Sequence, residues 1–237
     1  MHITRRSLLT ASAALAASPK LGSAQAPSLE GATASLIADA LRAAGHDPRT
    51  LTMSRDIRPV TVPGKTIVGP AVTTKWEIAR EGATVGSIRR FVFEPVDRAA
   101  AGSIWVVASG TDQLLSMFGD LIGLACKHKG LAGAVTDSGC RDVGEMDAIG
   151  FPVFAKGTVL YGPGEVIRPV AADVPIVCGG VDVRPGDVIV ADVDGVIVVP
   201  KEALRDVARA KDELLAKEAE VRRKIESGET LAAAYSL

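Results

Sequence analysis

Several features that would settle the class of this chain at once are missing from it. Beyond its first 26 residues no stretch approaches 18 apolar residues without a charge, so no segment is expected to span a bilayer. Cys126, Cys140 and Cys178 are odd in number and show no C-x-x-C spacing, which argues against zinc. Their plain reading is as small apolar core residues; an oxidising compartment would permit one disulfide, with no pairing favoured. There is no G-x-S-x-G for a serine hydrolase, and no P-loop or G-x-G-x-x-G, so a methyltransferase reading has little support. His2, His46 and His128 have no partners at metal-ligand spacing. No internal repeat or low-complexity segment is present.

The first 26 residues read as a leader. Thr4-Arg5-Arg6-Ser7-Leu8-Leu9 is a twin-arginine pattern, followed by the apolar run Leu8 to Ala17 and small residues around Ser23-Ala24-Gln25-Ala26. The organisation expected is a twin-arginine signal peptide over 1–26 and one domain over 27–237, exported by a bacterium to the periplasm or beyond. The leader contains Arg5, Arg6 and Lys20 and no acid, so without it the formal charge moves from −1 to −4. A mildly acidic body gives no electrostatic case for nucleic acid.

Residues 33–44 have helical period, with Thr33 as N-cap and Gly45 as stop. Thr66 to Thr73 reads as a strand, and residues 74–102 carry no clear period. Ser103 to Ala108 is a continuous apolar run, as in a strand buried on both faces. A helix is predicted over 119–129, its apolar face formed by Leu121, Leu124 and Ala125. A strand at 133–136, a short helix at 143–148 and a strand at 151–155 follow. This alternation argues for a βα-layered centre. The last third is β-rich from Val181 to Pro200, then a charged helix runs from Lys201 to Glu226 with the stripe Leu204, Val207, Leu214, Val221 and Ile225.

Two places could carry chemistry. Gly119-Asp120 begins a helix, where unpaired amides near Leu121 and Ile122 can hold a carboxylate; an ordinary helix start reads the same way. Arg141-Asp142 follows the strand at 133–136 after a loop containing Gly139, and ligands gather where strands end in α/β layers. Arg141 can fork to a carboxylate or enolate, and Asp142 can bind Mg²⁺ through one oxygen. A surface ion pair, or an N-cap for helix 143–148, accounts for the pair equally simply. Asp182, Asp187, Asp192 and Asp194 lie among turns and read as solvated loop acids.

Gly119-Asp120, then 20 residues, then Arg141-Asp142 resembles the D-x20-R-D motif of the 4-hydroxy-4-methyl-2-oxoglutarate aldolases, which share a family with the regulator of ribonuclease activity A. Gly150-Phe151-Pro152-Val153-Phe154 and Pro185-Gly186-Asp187 add to the likeness, which extends over most of the chain after the leader; residues 74–102 depart from the pattern. The resemblance implies a layered ββα sandwich similar to the swivelling phosphohistidine domain, with a C-terminal helix, assembled as a homotrimer or homohexamer with its site between subunits. It implies a class II pyruvate aldolase, a lyase acting on 4-hydroxy-4-methyl-2-oxoglutarate-type acids, with secondary oxaloacetate decarboxylase activity. Substrate would contact Gly119, Asp120, Leu121, Ile122 and Arg141. Asp142 would hold a divalent cation, Mg²⁺ or alternatively Mn²⁺, and Asp120 would orient a water or hydroxyl there. A glutamate from a neighbouring subunit's C-terminal helix completes the family site; Glu218 is the best match, with Glu213 and Glu220 as rivals. Two alternatives stand beside this reading: a Schiff-base aldolase using Lys156, and a non-catalytic binding or regulatory protein.

Overall fold

The computed structural model describes residues 28–79 and 84–236, so the twin-arginine pattern and its cleavage zone lie outside the described residues. The strands are β1 (Arg58–Pro59), β2 (Ile67–Ile78), β3 (Ile104–Ala108), β4 (Ser116–Phe118), β5 (Gly133–Thr136), β6 (Gly139–Cys140), β7 (Val153–Ala155), β8 (Gly157–Thr158), β9 (Ile167–Ala172), β10 (Ile176–Cys178), β11 (Val181–Val183), β12 (Val188–Asp192) and β13 (Gly195–Val199). The helices are α1 (Ala34–Ala43), α2 (Val85–Ile88), α3 (Glu94–Arg98), α4 (Asp120–Lys129), α5 (Val143–Ile149), α6 (Leu204–Glu226) and α7 (Leu231–Ala234), and a π-helical turn over Arg89–Phe93 joins α2 to α3.

The main sheet runs β1-β7-β5-β3-β2-β12-β13, with β9 also paired to β2. Its centre is parallel (β2 with β3, β3 with β5, β5 with β7), as short βα repeats require. Its flanks are antiparallel. The two edges approach each other: Thr52 bridges to Ile197 in β13, and Arg58 in β1 donates to the carbonyls of Val193 and Asp194 at 3.2 and 2.7 Å. The result is a mixed α/β fold with a nearly closed sheet and a C-terminal helix.

All of β3 is buried because both its faces are covered. Trp105 and Val107 pack with Val92, Val96, Cys126 and Met146 from the π-turn, α3, α4 and α5. Ile104, Val106 and Ala108 pack with β10–β13. A third cluster lies where α1 and α6 cover the other face of β12 and β13. Thr33 caps α1 as its sequence predicts, accepting from the Leu36 amide at 3.2 Å, and Gly45 follows at φ +87°.

Three expectations need correction. The buried face of α4 is Gly123 and Cys126; Leu121 and Leu124 are exposed, because α4 approaches α5 through its small residues. A Cβ on Gly123 would lie 2.7 Å from Met146 Sδ. On α6 the buried residues are Val207, Ala208 and Lys211, and Ile225 is exposed, because only the first half of the helix lies on the core. Asp187 and Asp192 are not solvated loop acids but are 3% and 5% exposed.

Candidate functional site

The small parallel sheet β4-β6-β8 builds the site, pairing Ser116 with Gly139 and Phe118 with Cys140. Strand β4 leads through Gly119 into α4, and β6 leads through Arg141-Asp142 into α5, so two neighbouring strand ends present two helix starts side by side. The Arg141 amide donates to Phe118 O at 3.0 Å and locks the two ends together.

Gly119 is the N-cap of α4 in extended conformation, and no side chain caps the helix. The Gly123 amide is the first to bond within the helix, to Gly119 O at 2.9 Å. The amides of Asp120, Leu121 and Ile122 precede it and stand outside the helical ladder. That of Asp120 donates to Asp142 Oδ2 at 3.3 Å, and Arg141 Nε donates to the same oxygen at 3.3 Å. A Cβ on Gly119 would lie 2.7 Å from Asp142 Oδ2 and 3.3 Å from Arg141 Nε, so glycine allows this convergence. Asp142 has φ 54° and ψ 39°, the left-handed region that a non-glycine residue adopts at a cost of about 1 kcal/mol. Its side chain does not cap α5, so the N-cap reading of Asp142 has no hydrogen bond behind it.

The structure thus brings together Gly119, Asp120, Leu121, Ile122, Arg141 and Asp142, drawn from two segments 20 residues apart in sequence. A cavity of about 410 Å³ opens beside them, lined also by Trp76, Val92, Phe93, Met117 and Pro163. Those wall residues are absent from the sequence reading. Trp76, alone among the polar residues of Thr73 to Glu77, and the Gly162-Pro163-Gly164 turn are the signals that could have pointed to them.

Glu218 is not brought to this site within the chain; it lines a separate groove between α6 and α7, and so does Glu220. Glu220 also faces Lys224 at 3.3 Å. Lys156 is exposed and absent from the cavity wall. His46 and His128 are exposed on other elements. Among the described residues no three His, Cys, Asp or Glu gather as a metal cluster. The two carboxylates of Asp120 and Asp142 nevertheless suit a hard cation that keeps most of its waters, as Mg²⁺ does, and do not suit zinc. Both hydrogen bonds to Asp142 fall on Oδ2.

The three cysteines are buried and free. Burial, with the nearby Asp142 carboxylate second, pushes the Cys140 thiol up to about 12. Burial does the same to Cys126, and holds the Cys178 thiol well above its ordinary value. None is a nucleophile at neutral pH.

Fold and site together define an α/β protein that presents a helix tip, a guanidinium and a carboxylate at one sheet corner. Residues 34–198 match the model of the RraA-like family, described as Aldolase/RraA, and the chain belongs to that family. A Halalkalibacterium halodurans protein provisionally named a 4-hydroxy-4-methyl-2-oxoglutarate aldolase is 35% identical over 140 residues, covering 57% of this chain and 60% of that one. A Thermus thermophilus 4-hydroxy-4-methyl-2-oxoglutarate aldolase is 29% identical over 133 residues, 52% of this chain and 77% of its own. Among solved structures, Streptomyces coelicolor RraAS2, described as an unusual member of the RNase ES inhibitor RraA protein family, superposes with a TM-score of 0.70 at 25% identity, covering 82% of this chain and 93% of that one.

Proposed function

We propose that this chain is a lyase that cleaves 4-hydroxy-2-oxo acids, the class of 4-hydroxy-4-methyl-2-oxoglutarate, to pyruvate by class II aldol chemistry, and that it decarboxylates oxaloacetate as a secondary activity. The observation that carries this reading is the meeting of the α4 tip with Arg141 and Asp142. The amides of Leu121 and Ile122 and the positive end of the helix dipole receive the substrate carboxylate. Asp142, with Asp120 beside it, would hold a divalent cation, Mg²⁺ or Mn²⁺, which when bound supplies Lewis acidity at the 2-oxo group. Asp120 accepts the 4-hydroxyl proton through water. The C3–C4 bond breaks, C4 becomes a carbonyl, and the electron pair passes into a pyruvate enolate. Arg141 forks to that enolate and stabilises its charge as it develops. Protonation at C3 releases pyruvate. Loss of CO₂ from oxaloacetate gives the same enolate, so one site serves both reactions.

The test is pyruvate release from oxaloacetate and from a 4-hydroxy-2-oxo acid, with added Mg²⁺ and with chelator. Release that chelation abolishes is expected; no release under any condition overturns the reading. Borohydride trapping with pyruvate separates the Lys156 alternative: inactivation would favour a Schiff base, and full survival favours metal. A non-catalytic binding role is the second reading, favoured by the description of the Streptomyces relative as belonging to an inhibitor family. The same release assay decides between enzyme and binder.

Two proposals of context accompany the function. Glu218 of a neighbouring copy would serve aldol proton transfer in a homotrimer or homohexamer, so Glu218→Ala should harm cleavage more than decarboxylation; equal losses count against it. Residues 1–26 would direct export by the twin-arginine route, which cell fractionation with and without Arg5-Arg6 tests directly.

A further inference from the structure

The two helices whose starts form the site are joined along one seam. Gly119 meets Asp142, Gly123 meets Met146, and Lys127 Nζ donates to Gly150 O at 3.1 Å. On both helices these residues fall four apart, so the rungs follow one another at roughly one helical turn. The first rung is the site itself. The second is built from the residues that close the two helix starts: the Gly123 amide donates to Gly119 O and the Met146 amide to Asp142 O, each at 2.9 Å. A displacement at Gly123 or Met146 therefore reaches the site through a single main-chain hydrogen bond.

That second rung is tight. A Cβ on Gly123 would lie 2.7 Å from Met146 Sδ, 3.5 Å from Met146 Cγ and 3.6 Å from Ile149 Cδ1, so only the sulfur is too close. Met146 is fully buried in the cluster that contains Trp105, Cys126 and Phe151, and a close-packed interior leaves the sulfur little room to turn. Restoring an ordinary contact would push the helices apart by about 1 Å. The Asp120 amide lies 3.3 Å from Asp142 Oδ2, so that movement takes it beyond hydrogen-bond reach. A second point of attachment holds α5. Asp147 accepts the Val62 amide, and Val62 has φ 47°. A β-branched residue in the left-handed region is an outlier that persists only where its surroundings fix it. The neighbouring Thr61 hydroxyl does so, donating to Phe151 O at 2.6 Å and accepting from the Val153 amide at 2.8 Å.

We infer that α5 is a rigid mount for Asp142, and that Gly123 and Asp147 are positioning residues which set the distance from the Asp142 carboxylate to the amides of the α4 tip. Both contacts are made within one chain, so they act whatever the assembly. The geometry stands by itself; the inference rests on the aldolase reading only for its effect on rate.

The experiment reads two quantities on the full chain. One is the Asp120 amide proton, followed by NMR after ¹⁵N labelling of aspartate, which reports its bond to Asp142 without any turnover. The other is pyruvate release from oxaloacetate with Mg²⁺. In Gly123→Ala the Asp120 amide proton should move upfield and lose hydrogen-exchange protection, and kcat/KM should fall about tenfold or more. Adding Met146→Val, which ends that side chain at Cγ and so removes the colliding sulfur, should return the amide signal and bring the rate back to within about threefold. Asp147 is exposed, and its pair of variants keeps the inference testable if Gly123→Ala folds poorly. Asp147→Ala should shift the Asp120 amide in the same direction and lower the rate about threefold, whereas Asp147→Asn, which keeps the acceptor for Val62, should retain both. An Asp120 amide unmoved in Gly123→Ala and Asp147→Ala overturns the inference and leaves the aldolase reading standing, as does a loss that Met146→Val fails to restore in a folded double variant. Amide shifts that follow the expected pattern in chains that release no pyruvate support the mount and overturn the aldolase reading alone.

Discussion

Two ends of this molecule use aspartate in opposite ways. At the end where α1 and α6 cover β12 and β13, Asp192 accepts the Ala34 amide on Oδ2 at 2.7 Å and the Asp194 amide on Oδ1 at 2.9 Å. Asp187 accepts the Arg184 amide on Oδ2 at 2.8 Å and the Lys201 amide on Oδ1 at 3.0 Å. Each oxygen has a main-chain partner, and the two carboxylates fasten the start of α1 and the approach to α6 onto the sheet. At the sheet corner Asp142 is one-third exposed, sits in a left-handed backbone, and takes both its hydrogen bonds on one oxygen. The first pair has its acceptor capacity used by the chain. The second leaves capacity for something that is not the chain. What separates a fastening from a candidate ligand is therefore which lone pairs remain, not the residue type or its burial alone.

The sharpest way to break this contrast is to neutralise one carboxylate at each end. Asp142→Asn keeps the size of the side chain and tolerates the left-handed conformation. We expect pyruvate release to fall at least about 100-fold, as when a transition-state electrostatic partner is removed, with Tm held within a few degrees. Full activity would remove Asp142 from the site. Asp192→Ala should do the reverse. It strands the Ala34 and Asp194 amides, which costs about 1–3 kcal/mol. In a domain of this size that lowers Tm by roughly 2–4 °C per kcal/mol, while activity per folded molecule is retained. Thermal melts and assays on the same preparations check both halves.

What the sequence reveals differs between these ends for physical reasons. The corner is legible because its parts are local: a glycine before a helix and an Arg-Asp pair after a strand each state their own chemistry. Their meeting depends on β4 and β6, strands of three and two residues with no period to read. The Asp187 and Asp192 fastenings are illegible because their partners are main-chain amides, which carry no residue signature; Ala34 lies 158 residues from Asp192. Residues 74–102 resist reading because β2 changes partners along one strand, pairing β12 and β3 and, from Thr74 onward, β9, with a bulge at Lys75–Trp76 inside the β9 ladder. The exposure of Leu121 and Leu124 follows from α4 packing by its small residues, where hydrophobic spacing points the wrong way.

Gly119 sharpens the contrast from within the corner. Its φ of −142° suits any residue, so Gly119→Ala carries little backbone penalty. Its new Cβ would lie 2.7 Å from Asp142 Oδ2, and the flexible carboxylate would have to swing away. The expected result is a loss of about tenfold in kcat/KM with stability within about 1 kcal/mol, since ångström-scale misplacement of a reacting group costs rate without costing fold. A variant with unaltered kinetics would show that the position of Asp142 is immaterial.

The contrast also has a depth limit, which Cys140 marks. It adjoins Arg141, yet it is fully buried and its thiol is pushed up to about 12, as is that of Cys126. The open corner therefore rests on a floor as closed as the far end. A disulfide reagent at pH 8 should leave the folded protein unlabelled and titrate three thiols once denaturant is added. The same shift fixes a sign for stability. Unfolded thiols lose their protons near their ordinary value of 9.0, while these two hold theirs toward 12. Below pH 9 the thiols' stabilising contribution is fully present; as pH rises from 9 toward 12 the unfolded state binds fewer protons and stability falls, by at most about 1.4 kcal/mol per pH unit for each thiol. Cys140→Ala should flatten that decline by one thiol's share and leave pyruvate release at pH 7.5 within twofold. If the slope is unchanged, or if the native thiol reacts at pH 8, water reaches beneath the site and the floor is not closed.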